Sequence, residues 1–354
     1  MIFLDNCATT KPRFFRSDYK DFWMNSNTPY AKTEQFALEK AREKIKSCLG
    51  VKGGYVLFFR CSTEAIQWLA SKIYLREVWC SPYEHESVSS ISSILNEESE
   101  PYYNIKCKFG KCSLYCHQLV NQITGDVWDI KRAKEKYVPK PNQFFGSDLT
   151  AAIGHVILPN DLEEYCDALW FSSHKFYGER NMGAMWISDK LGKYLEATKD
   201  PKNQYNLVHG TVDVAGACMI ADAMKWVNSN YEDNRYNDNH YKNLLVTLYN
   251  LLFLNNIEVH NVCLNETRRS HAINAIYLPN INADALQTYL ASKDIYVGVA
   301  HSACAGTNDY RVLEAMGYDK ETASQTIRVS FGVDNSYNDI HRLVDEIKRF
   351  RELF

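Results

Sequence analysis

No stretch of the 354 residues comes near the ~20 consecutive apolar residues of a membrane span, so no membrane-crossing helix is expected. The opening Met1-Ile2-Phe3-Leu4-Asp5-Asn6 has no basic region and no long apolar run, so no export signal is expected. An excess of one charge is missing too: 40 Lys and Arg against 43 Asp and Glu leave a net charge of -3. The basic residues are scattered, and the densest group, Lys348, Arg349 and Arg351, reads as a solvated helix face. So balanced a chain offers no electrostatic case for nucleic acid or membrane as a main partner. Internal repeats and low-complexity segments are lacking. Cysteine is plentiful, but the eleven copies are irregularly spaced in a long chain. That excludes a disulfide framework and implies a reducing, cytoplasmic setting. Cys107, Cys112, Cys116 and His117 lie close together, yet their spacing matches no standard pair of metal-ligand knuckles. Core and strand cysteines, and no metal, are expected there.

What is present is a regular alternation of elements in a chain long enough for two domains. Apolar positions from 33 to 49 recur at helical spacing, with Gly50 as the stop. Residues 55–59 read as a strand, and Ser62 or Thr63 would cap the helix that follows. Such a cap leaves backbone N–H groups and a positive dipole end facing outward, an arrangement that binds phosphate. Glu84-His85-Glu86-Ser87-Val88 opens the next helix, 111–119 reads as strand, and Phe144-Phe145 leads into Asp148-Leu149-Thr150. This alternation predicts a mainly parallel sheet covered by helices, with the site at the carboxyl ends of its strands. Helices are expected over 214–254, with a polar break at 228–239. Strands at 272–278, 295–299 and 327–332 and helices at 283–292 and 340–353 complete a smaller α+β region.

The apolar run 168–171 ends in Ser172-Ser173-His174-Lys175-Phe176-Tyr177-Gly178, which places one lysine at a buried strand's end. An amine among small hydroxyl residues and a histidine suits Schiff-base chemistry with an aldehyde cofactor. A surface lysine in a turn would be the ordinary reading of that residue alone. Cys304, in His301-Ser302-Ala303-Cys304, lies among small residues that favour a flexible loop over a core position.

Taken together, LDNCATT, STE, EHESV, the Asp148 strand, SSHKFYG, HGT, HSAC and IRVSFG resemble, in order, the motifs of the cysteine desulfurases. Those are pyridoxal phosphate enzymes of the aminotransferase class V fold. The resemblance implies an α/β chain of PLP fold type I. Residues 13–228 would form the large cofactor-binding domain, and 1–12 with 229–354 a small domain carrying the cysteine loop. It assigns Lys175 to the Schiff base, Asp148 to the pyridine nitrogen and His85 to the ring face. Ser62, Thr63, Ser172 and His174 would hold the phosphate, with Thr211 serving the cofactor of a neighbouring subunit in a homodimer. Gln122 falls near the ring hydroxyl, Arg328 and Thr9 at the substrate, and Cys304 at the sulfur-accepting nucleophile. The implied reaction removes sulfur from L-cysteine, giving L-alanine and a Cys304 persulfide for an acceptor protein. Another class V aminotransferase or carbon–sulfur lyase, or a catalytically weak binding subunit of this fold, would share most of these residues. The pattern departs from the family at Ala151, Ile123, the shortened segment 204–208 and His301.

Overall fold

The computed structural model describes residues 1–72, 77–94, 113–138, 143–232, 237–301 and 310–353. Its strands are β1 (Ile2–Leu4), β2 (Tyr55–Phe59), β3 (Glu77–Cys80), β4 (Ser93–Ile94), β5 (Ser113–Cys116), β6 (Phe144–Asp148), β7 (Ala168–Ser172), β8 (Gly183–Ile187), β9 (His260–Val262), β10 (Ile273–Tyr277), β11 (Ile295–Val299) and β12 (Thr326–Ser330). They fall into two compact units. One gathers Lys11–Leu119 and Trp128–Ser229; the other gathers Met1–Thr10, Val120–Val127 and Asn230–Phe354.

The first unit is built on a seven-stranded sheet in the order β2-β8-β7-β6-β5-β3-β4. β3, β4, β5, β6 and β7 pair in parallel, while β8 runs antiparallel to both β7 and β2. A continuous apolar run such as Ala168-Leu169-Trp170-Phe171 suits a central strand covered on both faces. Accordingly every residue of β6, β7 and β8 is buried. Trp170 and Trp186 are fully buried at the middle of this layer. The helix Lys32–Leu49 ends where Gly50 turns left-handed, at φ 70°, and its N–H caps the last carbonyls. The helices expected over 214–254, on either side of a polar break, are Val214–Glu232 and Asp238–Leu254.

The second unit carries a five-stranded sheet, β1-β11-β12-β10-β9. β1 pairs in parallel with β11, and the remaining pairings are antiparallel. Arg328 on β12 lies opposite Gly298 on one side and Ala275 on the other. The helix Tyr337–Leu353 buries Ile340, Leu343, Val344, Ile347 and Phe350, the stripe its sequence spacing calls for.

Candidate active site

In the first unit the parallel register brings the carboxyl ends of β3, β6 and β7 to one edge of the sheet. Asp148 closes β6, Ser172 closes β7, and His85 stands five residues beyond the end of β3. Ser172 is fixed to the next element: its Oγ accepts the Ser62 N–H at 2.8 Å and donates to Ser62 Oγ at 2.9 Å. Ser62 is the first residue of the helix Ser62–Lys72, not its cap. The Ala65 N–H bonds the Cys61 carbonyl, and the Glu64 N–H points to Cys61 Sγ. Cys61 therefore stands at the cap position expected for a hydroxyl residue, and the hydroxyl of Ser62 is turned to Ser172 instead.

Lys175 closes the 3-10 turn Ser173–Lys175 that follows β7. The Ser173 carbonyl accepts from both Phe176 and Gly178 N–H at 3.0 Å, which folds the chain tightly around the lysine. Two residues on, Tyr177 takes a left-handed φ of 69°. A tyrosine is held there only when its surroundings demand it. The demand comes from the Arg13 N–H on the Tyr177 carbonyl at 2.9 Å and from the Arg13 guanidinium above the Tyr177 and Trp226 rings. His174 is pushed down to about 4 by burial and by the charges of Lys175 and Arg180. His155 is likewise held to about 4, chiefly by burial, and it also feels the Lys175 charge. The sequence reading did not single out His155. Its only signal was its place seven residues after Asp148.

Asp148 is buried, and its Oδ1 accepts the Thr150 N–H at 2.8 Å. His85 caps the short helix Glu86–Ser89, with Nδ1 accepting the Ser87 N–H at 3.1 Å. That bond leaves the ring proton on Nε2 in the neutral form. The His85 segment is anchored by its neighbours. The buried Glu84 carboxylate accepts the Gln118 N–H at 2.6 Å, and the Gln118 amide donates to the Tyr83 carbonyl at 2.5 Å. Cys116 and His117, the two described members of the cysteine and histidine group near 107–117, are both buried. Burial drives the Cys116 thiol well upward and His117 down to about 4. Among the described residues no group of three or more such side chains could hold a metal.

Thr211 is exposed in the same unit, on the rim of a surface hollow of about 260 Å³ lined also by Arg60, Gln204 and His209. Thr63 is half-buried at the start of the helix Ser62–Lys72.

The second unit holds Arg328, Thr9 and Gln122. Arg328 is buried, its Nε and Nη2 donating to Asp5 Oδ1 at 3.2 and 2.7 Å and its Nη1 to the Gln122 carbonyl at 3.1 Å. Burial opposes the charge, but the anionic Asp5 and the nearby Cys7 outweigh it, and the Arg328 pKa is raised. The Cys7 thiol donates to the same Gln122 carbonyl at 3.2 Å. Gln122 Oε1 is buried with no hydrogen-bond partner among the described residues. The Thr9 N–H reaches the Asp5 carbonyl at 3.4 Å. Asp5, which the sequence offers only as part of LDNCATT, is thus the direct partner of the expected substrate arginine. Cys304 lies outside the described residues.

The donor set at the β3–β6–β7 edge fits pyridoxal phosphate. An amine, a buried carboxylate and hydroxyls at a helix start match its aldehyde, pyridine nitrogen and phosphate in turn. Thr150 Oγ1, two residues past Asp148, is buried without a hydrogen-bond partner among the described residues, leaving one polar group available there.

The sequence profile of the aminotransferase class-V family matches residues 109–343. The chain is 24% identical to the cysteine desulfurase IscS of Methanosarcina thermophila, over 98% of this chain and 91% of that protein. It is also 24% identical to the cysteine desulfurase IscS of Clostridium botulinum (strain Kyoto / Type A2), over 99% and 96%. Among solved structures it resembles a NifS-like protein from Rickettsia africae, with TM-score 0.82, 20% identity and 99% of each chain covered. A second NifS-like protein matches with TM-score 0.79 at 21% identity, covering all of both chains.

Proposed function

The chain belongs to the aminotransferase class-V family, and from that premise we propose that it is a pyridoxal phosphate-dependent cysteine desulfurase. It would act as a homodimer and pass its sulfur to an acceptor protein. The observation that carries this reading is the placement of Lys175, Asp148 and the Ser172–Ser62 pair on one edge of the parallel sheet. Full-length similarity to proteins named cysteine desulfurase supports it.

Bound there, pyridoxal phosphate supplies an aldehyde carbon and an electron-accepting ring. Asp148 holds a proton at the pyridine nitrogen. Ser62, Thr63, Ser172 and His174 bind the phosphate, joined by Thr211 from a second copy of the chain. His85 would hold the ring face, with its Nε2 proton available for transfer. Gln122 serves the ring hydroxyl. Arg328, with Thr9, receives the carboxylate of L-cysteine, and Lys175 Nζ takes the proton from its Cα. The Cys304 thiolate would then attack the substrate sulfur as the Cβ–Sγ bond breaks. The electron pair of that bond stays with the amino-acid skeleton and Cβ takes up a proton, so the products are L-alanine and a Cys304 persulfide.

The test is product analysis on the reconstituted protein. L-cysteine should yield L-alanine, with labelled sulfur on Cys304 by mass spectrometry. Cys304→Ser should keep the cofactor's visible absorbance and transfer no sulfur, and Lys175→Ala should lose borohydride-fixable cofactor while staying folded. Full desulfurase activity in Cys304→Ser, or reduction onto another lysine, would overturn the assignment. A keto acid from cysteine with no sulfur transfer would identify an aminotransferase instead.

A further inference from the structure

The Asp5–Arg328 pair sits in a slot that β11 leaves open for it. Gly298 is the cross-strand neighbour of Arg328. A Cβ on Gly298 would lie 2.7 Å from Asp5 Oδ1 and 2.9 and 3.0 Å from Arg328 Nε and Nη2. Any side chain there would therefore displace the carboxylate, the guanidinium or both. Asp5 is itself held by its backbone: its carbonyl accepts the Ala8 N–H at 2.9 Å, and it bridges in parallel to Ser330.

A guanidinium has five N–H donors in a fixed plane. Asp5 Oδ1 engages one on Nε and one on Nη2, and the Gln122 carbonyl engages one on Nη1. Two donors are left over, one on each Nη nitrogen, which is the fork that a carboxylate accepts bidentately. The charge of Arg328 is already balanced by Asp5, so an arriving carboxylate meets a paired ion. Its affinity then depends on where the two remaining N–H bonds point rather than on net positive charge.

We propose that Asp5 is a positioning residue that aims the free fork of Arg328 at the substrate's carboxylate, with Gly298 as the seat of the pair. This rests on the reading of Arg328 as the carboxylate receiver. Because the action is orientation, an acceptor oxygen of the same shape should replace Asp5, whereas its removal should not be tolerated.

The experiment titrates the pyridoxal phosphate-loaded protein with L-alanine and, in parallel, with ethylamine, which lacks only the carboxylate. Binding is followed by the cofactor's visible absorbance. Asp5→Ala and Gly298→Ala should weaken L-alanine about tenfold or more and ethylamine by less than about twofold. Asp5→Asn should stay within about threefold of wild type for both. Should Asp5→Ala fail to fold, Gly298→Ala carries the same comparison. The proposal is overturned if these variants bind L-alanine like wild type, weaken both ligands equally, or leave Asp5→Asn as impaired as Asp5→Ala. It is also overturned if wild type is indifferent to the carboxylate. Alanine and sulfide release from L-cysteine is scored separately: its absence sinks the desulfurase reading and leaves this comparison intact.

Discussion

His117, His155 and His174 are each held near 4, in every case with burial as the largest cause. Two of them lie close enough to Lys175 to feel its charge, so their neutral rings add no further positive charge beside the lysine. The same burial has a stability consequence whose sign is fixed. An unfolded histidine binds a proton below about 6.5, whereas these stay neutral in the folded chain until about pH 4. The unfolded state therefore holds more protons between those values. The stabilising contribution is fully present above pH 6.5 and is lost as pH falls toward 4. Urea midpoints should decline steadily from pH 6.5 to 5, before the carboxylates titrate, and His117→Phe should reduce that slope by roughly a quarter to a third, because burial lowers His240 too. A midpoint that is flat over this window, or unchanged in slope by His117→Phe, would contradict the assignment.

At the scale of elements, the segment 203–206 is a left-handed turn in which four successive non-glycine residues have φ of 45°, 48°, 62° and 63°. Such backbone costs on the order of 1 kcal/mol per residue, least for asparagine. It is held by Gln204, whose Oε1 accepts the Phe58 N–H at 2.6 Å while its Nε2 donates to the Phe58 carbonyl at 3.1 Å. The amide acts as one more strand residue along β2. Tyr205 adds an edge contact to Tyr55 and lies under the buried Arg42. Gln204→Leu should cost about 2–4 kcal/mol, because it strands two buried backbone groups. Asn206→Gly, at an exposed position with φ 63°, should be neutral or raise stability by about 0.5 kcal/mol. Chemical denaturation of both variants checks the pair, and a Gln204→Leu chain as stable as wild type would refute it. This turn was not legible in the sequence, where 204–208 showed only as a shortened segment. Its cause is a partner 146 residues away. Asp5 escaped notice for the same reason, with its partner 323 residues away. The strands at 55–59 and 295–299 and the helix at 283–292 were legible to the residue, because apolar runs and helical spacing are local signals. The cap lies one or two places before the expected Ser62 or Thr63, since the Ser62 hydroxyl is engaged by Ser172, 110 residues away.

For the whole molecule, the parallel-rich sheet and the α+β remainder were legible from the order of elements, because right-handed strand–helix crossovers leave few alternatives. Less legible was the part that the segment between β5 and β6 plays in the second unit, to which it contributes Val120–Val127. The expectation that depends on more than one copy of the chain is the role of Thr211. Thr211 is exposed, yet its loop is tied down on both sides. Asn27 Nδ2 donates to the Gly210 carbonyl at 3.2 Å, and Arg16 grips both oxygens of Asp213 at 2.9 and 2.6 Å. Fixed flanks and exposure leave the Thr211 hydroxyl open to a neighbouring molecule. If Thr211 reaches the partner's cofactor, Thr211→Ala and Lys175→Ala subunits should complement one another. In a hybrid dimer one site carries both lesions and the other carries neither. Random mixing makes half the dimers hybrid with half their sites intact, so two impaired parents should recover about a quarter of wild-type activity. If Thr211 acts within its own subunit, every hybrid site carries one lesion and mixing recovers nothing. Light scattering of the loaded protein supplies the control: a monomer at assay concentration removes the basis for complementation altogether.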